Sequence, residues 1–519
     1  MQRTGQAVRV SKPSGWKTLC AVCVVCAATA IALPAQTFTT LYSFDFTDGA
    51  SPLAGLIQAT DGSLYGTTGH GGANGDGTVF KITPSGTVTT LYNFCSQSGC
   101  TDGSLPEAEL IEGTDGSFYG TTYGGGANRA GTVFQITPSG TLTTLYNFCS
   151  REDCLDGGRP VGALVQGTDE NLYGTTTEGG AGGVYSTCLT RCGTVFKISP
   201  SGTFGTLHSF NHTDGSIPLG GLIQATDGDF YGTTSEGGGG SCGQHLETGC
   251  GTVFKITANG TLTTLYDFCT ELVFRSYLCK DGATPYAGLV QAADGTFYGT
   301  TAAGGGVGAN RACTSVGCGT VFRITASGTL TTLLDFDILD GYFPEAALVQ
   351  ATDGNLYGTT EQGGANTACF DGSDGCGTVF KITPSGTLTT LYNFCSQGGC
   401  ADGEYPQLAL VQDTNGGFYG TTNSGGANRE GSVFSLSVGL GRFVESQPTS
   451  GNVGAAVNIL GTNLTTATSV TFNGTPAVFS VTSSSLITTT VPAGATSGKV
   501  QVVTPSGTLT SNVPFRVLP

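Results

Sequence analysis

The side chains that could do chemistry in this chain are, first, its cysteines. Nineteen occur; Cys20, Cys23 and Cys26 sit in an apolar N-terminal run, and the other sixteen fall into eight local pairs. These are Cys95–Cys100, Cys149–Cys154, Cys188–Cys192, Cys242–Cys250, Cys269–Cys279, Cys313–Cys318, Cys369–Cys376 and Cys395–Cys400. A structural metal site needs about four converging ligands at stable spacing. Here the separations run from four to ten, no histidine travels with them, and none has the CxxC spacing of a redox motif. Eight disulfides and no metal are therefore expected, as in an exported protein.

Acidic and basic residues are the second candidates. The string D-G-x-x-P recurs at Asp48, Asp102, Asp156, Asp214, Asp281, Asp340 and Asp402. Seven carboxylates on a ring could hold a cation or a hydroxyl-rich ligand. Recurrence at every copy favours a structural role, an Asx turn accepting backbone N–H groups ahead of a proline-fixed strand entry. Residues that break the repetition are better ligand candidates. GANR places Arg129, Arg311 and Arg429 in loops, and TEGG or a close relative places Glu178, Glu236 and Glu361 near them. Arginine with carboxylate partners suits a polar or anionic glycan, although exposed loop charges are most often solvated surface. The segment GGSCG, 239–243, fits G-x-S-x-G with His245 close by. It lies in a Gly-rich loop, without the strand-to-helix elbow that this nucleophile needs. There is no HExxH, P-loop or EF-hand pattern. No catalytic residue and no cofactor is expected.

These residues must be positioned by short strands. The string YGTT begins at Tyr65, Tyr119, Tyr173, Tyr231, Tyr298, Tyr357 and Tyr419, in steps of 54 to 67 residues, a period that marks a repeat architecture. One unit divides at Gly, Asp and Pro into LAGLIQA, SLYGTT, GTVFKIT and TVTTLYNF, here strands a, b, c and d. The a–b joint TDG and the c–d joint PSG are tight-turn sequences. Four antiparallel strands per unit, seven times over, predict a seven-bladed β-propeller over residues 37–440. The chain begins this region with a d-type strand, Thr37–Phe44, and its seventh unit lacks one after strand c, Gly431–Val438. The N-terminal strand should complete the last blade and close the ring, hiding two edges that would otherwise aggregate. Strand parity puts the d–a and b–c loops on one face. All eight cysteine pairs and most length variation then share that face, where rigid scaffolds usually carry recognition.

Residues 1–35 have the layout of a signal peptide: four basic residues, the apolar run Leu19–Leu33, then Pro-Ala-Gln. No later apolar run is long enough to span a bilayer, so no membrane insertion is expected after cleavage. The chain carries 20 basic against 37 acidic residues, and losing the basic leader makes it more negative still. Nucleic acid, which calls for a basic surface, is not an expected partner. Glycine is abundant, at 85 residues without a collagen period, and Trp16 in the leader is the one tryptophan. The mature chain thus lacks the strongest sugar-stacking side chain.

The unit TDGSLYGTT…GTVFKITPSGTLTTLYNF resembles the GloVer-type tandem repeat of exported bacterial surface proteins, over about residues 37–440. More loosely, DG-x-L-Y-G-T is similar to the DG-x-L-W-x-G-T pattern of sensor-type propellers. The resemblance implies export and a propeller-like array, and brings no agreed activity. Residues 443–519 resemble an IPT/TIG domain, an Ig-like β-sandwich. The resemblance rests on Gly461, Asn463, Leu464, Val470, Phe472 and Gly474, then on Val491, Pro492, Gly498 and Phe515. The expected fold is all-β, a propeller followed by this sandwich. The expected role is non-catalytic binding or adhesion outside the cytoplasm, at the cell surface, in the medium or in the periplasm. The partner would be a polysaccharide, an envelope component or another protein, held on the disulfide-bearing face. One alternative is a secreted carbohydrate-active lyase or hydrolase using carboxylates at the propeller mouth; another is a purely structural envelope protein.

Overall fold

The computed structural model describes residues 36–181, 192–240, 249–271, 279–305, 317–367, 369 and 375–518. The leader expected over residues 1–35 lies outside them. In the first unit, strand a is Ile57–Gln58, b is Leu64–Thr68, c is Thr78–Ile82 and d is Val88–Asn93, hydrogen-bonded in that order. The same order recurs, and the described residues of the repeats form seven four-stranded sheets. In the seventh, Thr37–Ser43 pairs antiparallel with Ser432–Ser437, from Thr37 opposite Ser437 to Ser43 opposite Ser432. The N-terminal strand therefore supplies the missing fourth strand.

Strand a is much shorter than the seven-residue segment LAGLIQA. Its first half, after the loop proline, serves the neighbouring sheet instead: Thr67 Oγ1 donates to Pro106 O at 3.0 Å and Thr233 Oγ1 to Ala287 O at 2.7 Å. Adjacent sheets are also joined at the a–b turns. A turn N–H in each sheet donates to the Gln or Glu side chain of the next strand a: Thr60 to Glu112 at 2.9 Å, Thr114 to Gln166 at 3.0 Å, Thr168 to Gln224 at 2.9 Å. The series continues with Thr226 to Gln291 at 2.9 Å, Ala293 to Gln350 at 3.0 Å and Thr352 to Gln412 at 3.1 Å. Thr414 N–H then donates to Gln58 at 3.0 Å, which returns the series to the first sheet. The array is a closed, propeller-like ring.

YGTT is explained position by position. The tyrosine ring packs between sheets, Tyr65 on Phe118 at 4.1 Å and Tyr231 on Phe297 at 4.2 Å. Its hydroxyl donates to the TDG aspartate of its own unit, Tyr65 to Asp61 at 2.9 Å. The glycine leaves room for core: a Cβ on Gly66 would lie 2.7 Å from Leu56 Cδ2 and 2.9 Å from Phe80 Cζ. The first threonine reaches the next sheet, as Thr67 does, and the second is fully buried and bonds across to strand c, Thr68 Oγ1 to Thr78 Oγ1 at 2.9 Å. Every residue of the motif is thus committed to packing or to an internal hydrogen bond.

The C-terminal region is a two-sheet sandwich. One sheet contains Val444–Gln447, Ala456–Gly461, Leu486–Thr490 and Phe479–Val481, and the other Thr475–Ala477, Ser469–Phe472, Val500–Thr504 and Gly507–Thr510. Alternate residues Val500 and Val502 point inward with Val457, Ile459 and Phe472. Phe472 meets Phe515 edge-on at 5.0 Å. The sandwich rests on the a–b turns of the first and seventh sheets. Ser485 Oγ donates to Thr60 O at 2.9 Å, and Thr414 Oγ1 lies 2.9 Å from Thr462 Oγ1.

Candidate functional site

The d–a and b–c loops meet on the face opposite those turns. Each d–a loop forms an isolated antiparallel bridge with the b–c loop of the unit it enters, from Ala50 with His70 to Glu404 with Ser424. Cysteine bridges reinforce them: Cys95–Cys100, Cys149–Cys154, Cys269–Cys279, Cys369–Cys376 and Cys395–Cys400 are bonded. Cys192, Cys250 and Cys318 are also disulfide-bonded, while Cys188, Cys242 and Cys313 lie outside the described residues, as do Arg311, Ser241 and Gly243 of the GGSCG segment, and His245.

The recurring aspartates anchor these loops. Asp102 is fully buried and accepts from Tyr92 Oη at 2.8 Å, Ser96 Oγ at 2.8 Å, Ser96 N at 2.9 Å and Gln97 N at 3.2 Å. Burial opposes its ionisation, but the bonds from Ser96 and Tyr92 prevail and hold the carboxyl below the usual range. Asp156 has the same set from Tyr146 and Ser150, Asp281 from Tyr266 and Thr270, and Asp402 from Tyr392 and Ser396. Asp48 takes Tyr42 Oη and Asp45 N–H, and Asp214 takes His208 Nε2 at 2.8 Å and Asn211 N–H. Asp340 stands apart. Leu334 replaces the tyrosine of strand d, and burial, then Asp337, pushes the Asp340 carboxyl up.

The arginines lie at the rim. The GANR turn folds over the end of its own outermost strand: Ala127 N–H and Asn128 Nδ2 bond Asn147 Oδ1 and Phe148 O at 2.7 and 2.9 Å. Asn428 likewise reaches Ser43 O. Arg129 and Arg429 are exposed there, both in the left-handed region at φ 60° and 71°.

The glutamates point elsewhere. Glu178 pairs with Arg159, Nε to Oε2 3.0 Å, and that guanidinium lies 4.8 Å over the Tyr123 ring. Glu361 accepts from Gln407 Nε2 at 2.8 Å, and Gln407 Oε1 accepts from Asn423 Nδ2 at 3.1 Å. Glu236 and Glu361 both lie close enough to Tyr286 to push its hydroxyl up, after burial and Glu345. Burial, then Glu361, pushes Glu345 up to about 8. Glu107 is raised by burial and drawn back by Arg159.

Glu107, Arg159, Tyr286, Glu345 and Gln407 were not among the sequence candidates. Arg159 immediately precedes the loop proline; the others immediately follow it, where the seven units carry Leu53, Glu107, Val161, Leu219, Tyr286, Glu345 and Gln407. That variation, inside a nearly constant frame, was the available signal. Together with Glu236 and Glu361 these side chains make an acidic, hydrogen-bonding mouth that can take hydroxyl groups or a positive charge.

Residues 28–246, 193–369 and 244–475 match the Gloeobacter/Verrucomicrobia repeat, and residues 443–517 match the IPT/TIG domain. No curated protein matches. Similar solved structures include the extracellular domains of two proteins described as hybrid two-component systems of B. thetaiotaomicron. They align over 93% of this chain at 12% and 10% identity, each with a TM-score of 0.46. This chain spans 59% and 58% of their lengths. The PQQ-bound aldose sugar dehydrogenase of Streptomyces coelicolor aligns over 63% of this chain and 92% of its own, at 12% identity and a TM-score of 0.37.

Proposed function

The chain belongs to the Gloeobacter/Verrucomicrobia repeat family and ends in an IPT/TIG domain, and from that premise we propose that it is a non-catalytic binding or adhesion protein acting outside the cytoplasm. Local disulfides in the loops support an oxidising compartment. No helix among the described residues is long and apolar enough to cross a membrane.

One observation carries the binding reading. The repeated motif residues are bound into the ring, whereas the position after each loop proline differs from unit to unit and gathers at one mouth. Glu345, Glu361, Tyr286 and Gln407 there offer acceptors and donors, and among the described residues no group of converging metal-ligand atoms includes them. The ligand would be a hydroxyl-rich polysaccharide or envelope component, neutral or cationic, because Arg129 and Arg429 sit at the rim and Arg159, at the mouth, is paired with Glu178.

The test is retention of the purified chain on a panel of neutral, cationic and anionic polysaccharides, with product release followed in parallel. Neutral or cationic polymer should retain the wild type, without product. Glu345→Gln with Glu361→Gln should lose that retention and Arg129→Ala should not. Retention confined to anionic polymer, or unchanged in the double variant, would sink this reading. Sugar release lost with Glu345 would point to an enzyme using that carboxyl as a general acid.

A further inference from the structure

A second constellation lies on the ring axis, at the end opposite the disulfide-bearing mouth. Three residues after each loop proline, the seven units carry Gly55, Glu109, Ala163, Gly221, Gly288, Ala347 and Ala409. Six are small, and the strands crowd at that level: a Cβ on Gly221 would lie 3.0 Å from Ala163 O, and one on Gly288 2.7 Å from Gly221 O. Glu109 is the exception. Its carboxylate reaches toward the first and seventh sheets, where a Cβ on Gly55 would lie 2.7 Å from Glu109 Oε2 and 3.5 Å from Ala409 O. The missing side chain at Gly55 makes room for the carboxylate.

Glu109 opens into a cavity of about 400 Å³ between the ring and the sandwich, within the size range of small-molecule sites. The far wall is Glu445–Thr449, from the sandwich's first strand onward. Leu56, Ile57, Ile111 and Val411 form an aliphatic belt. Its titratable side chains are Glu109, Glu112 and Glu445, and among the described residues no lysine, arginine or histidine lines it. Glu112 is occupied, accepting from Thr60 N at 2.9 Å and Thr60 Oγ1 at 2.5 Å. The Glu109 and Glu445 carboxylates have no hydrogen-bond or ion-pair partner among the described residues. Burial alone pushes each up to about 7.

Two unpartnered carboxylates, brought to one cavity by different domains and separated by aliphatic surface, define a two-ended complement. A single metal ion is a poor match. Among the described residues, the groups of three or more converging ligand atoms are built on cysteines, and none contains Glu109, Glu112 or Glu445. We propose that this cavity binds an aliphatic diamine, with one ammonium group on Glu109, the other on Glu445 and the methylene chain along the aliphatic belt. Each ammonium would be held by a charge-assisted hydrogen bond. The site needs both domains, which gives the docked sandwich a role beyond that of a spacer. It is independent of the polysaccharide reading, which concerns the other mouth.

Titration calorimetry of the full mature chain at pH 8 tests this, with putrescine and cadaverine as probes and butylamine and calcium chloride as comparators. One diamine should bind at a single site, about tenfold or more tighter than butylamine, the expected loss of one charged hydrogen bond. Glu109→Gln and Glu445→Gln should each weaken it about tenfold while leaving polysaccharide retention unchanged. Affinity should fall as pH drops below 7, because protonated carboxyls lose the charge. No diamine binding, equal affinity for butylamine, preference for calcium, or unaltered affinity in both variants would overturn the proposal. A matched circular dichroism spectrum for each variant separates lost binding from lost folding.

Discussion

The ring has two faces made from the same seven units, and their characters are opposite. The turn face carries TDG and PSG joints of nearly constant length and accepts the sandwich. The loop face carries the insertions, the disulfides and the side chains that differ between units. Both faces are nonetheless built on aspartates. Asp61, on the turn face, is partly exposed and bonds Ser63 N–H, Tyr65 Oη and Lys81 Nζ at 2.9, 2.9 and 2.6 Å. Asp102, on the loop face, is fully buried with four donors of its own. Variation on the loop face is supported where the cysteine-containing d–a loops stand on buried, hydrogen-bonded carboxylates, Asp102, Asp156, Asp281 and Asp402. On the turn face, short geometry does the same work with weaker support.

The strongest way to break this contrast is Asp102→Ala. It strands buried donors and should cost about 3 kcal/mol, against about 1 kcal/mol for Asp61→Ala, measured as the difference in chemical denaturation midpoints. Equal losses would remove the distinction. The Asp102 contribution should also be present above the carboxylate range and fade as pH falls through it, since its folded-state pKa is depressed.

Next in size is a change of opposite sign. Glu345 keeps its proton up to about 8, so between the ordinary carboxylate range and pH 8 the folded chain binds more protons than the unfolded one. Stability from this group therefore falls as pH rises. Glu345→Gln should stabilise the protein by about 2 kcal/mol at pH 9 and by almost nothing at pH 4, read from thermal unfolding at the two values. A destabilised variant at pH 9 would mean that Glu345 has a partner on the mouth.

The disulfides come third. Converting Cys95 and Cys100 to serine should cost about 2 kcal/mol at most, because the closed loop is short. The smallest effect belongs to the rim: Arg129→Ala should change stability by less than about 0.5 kcal/mol. A larger loss there would show that the Arg129 side chain anchors its turn.

Much of this was legible in the sequence because it repeats. Seven copies of YGTT, with a d-type strand at the front and none at the end, led directly to four-stranded sheets and to pairing of Thr37–Ser43 with the last strand c. The tyrosines, present in every unit, serve the unit: Tyr65 and Tyr231 pack between sheets. The mouth was read less well. Arg129 and Arg429 drew notice as charged and exceptional, yet their turns fold outward over strand d. Glu345, Tyr286 and Gln407 escaped notice, since a position holding five residue types in seven copies looks like noise until the copies are arranged in a circle.

The sequence by itself thus determined the strands, their order in each unit, the closing partner and the reinforced loops, because these depend on local alternation, turn chemistry and repetition. Only the tertiary structure decided which side chains meet. Glu107 stands 52 residues from Arg159, and Glu109 and Glu445 belong to different domains, yet the former pair shares the mouth and the latter a cavity. Closing a ring brings equivalent positions of all seven units to one axis whatever their separation along the chain. Docking the sandwich at one end leaves a cavity lined by both domains, and neither convergence leaves a mark in local sequence.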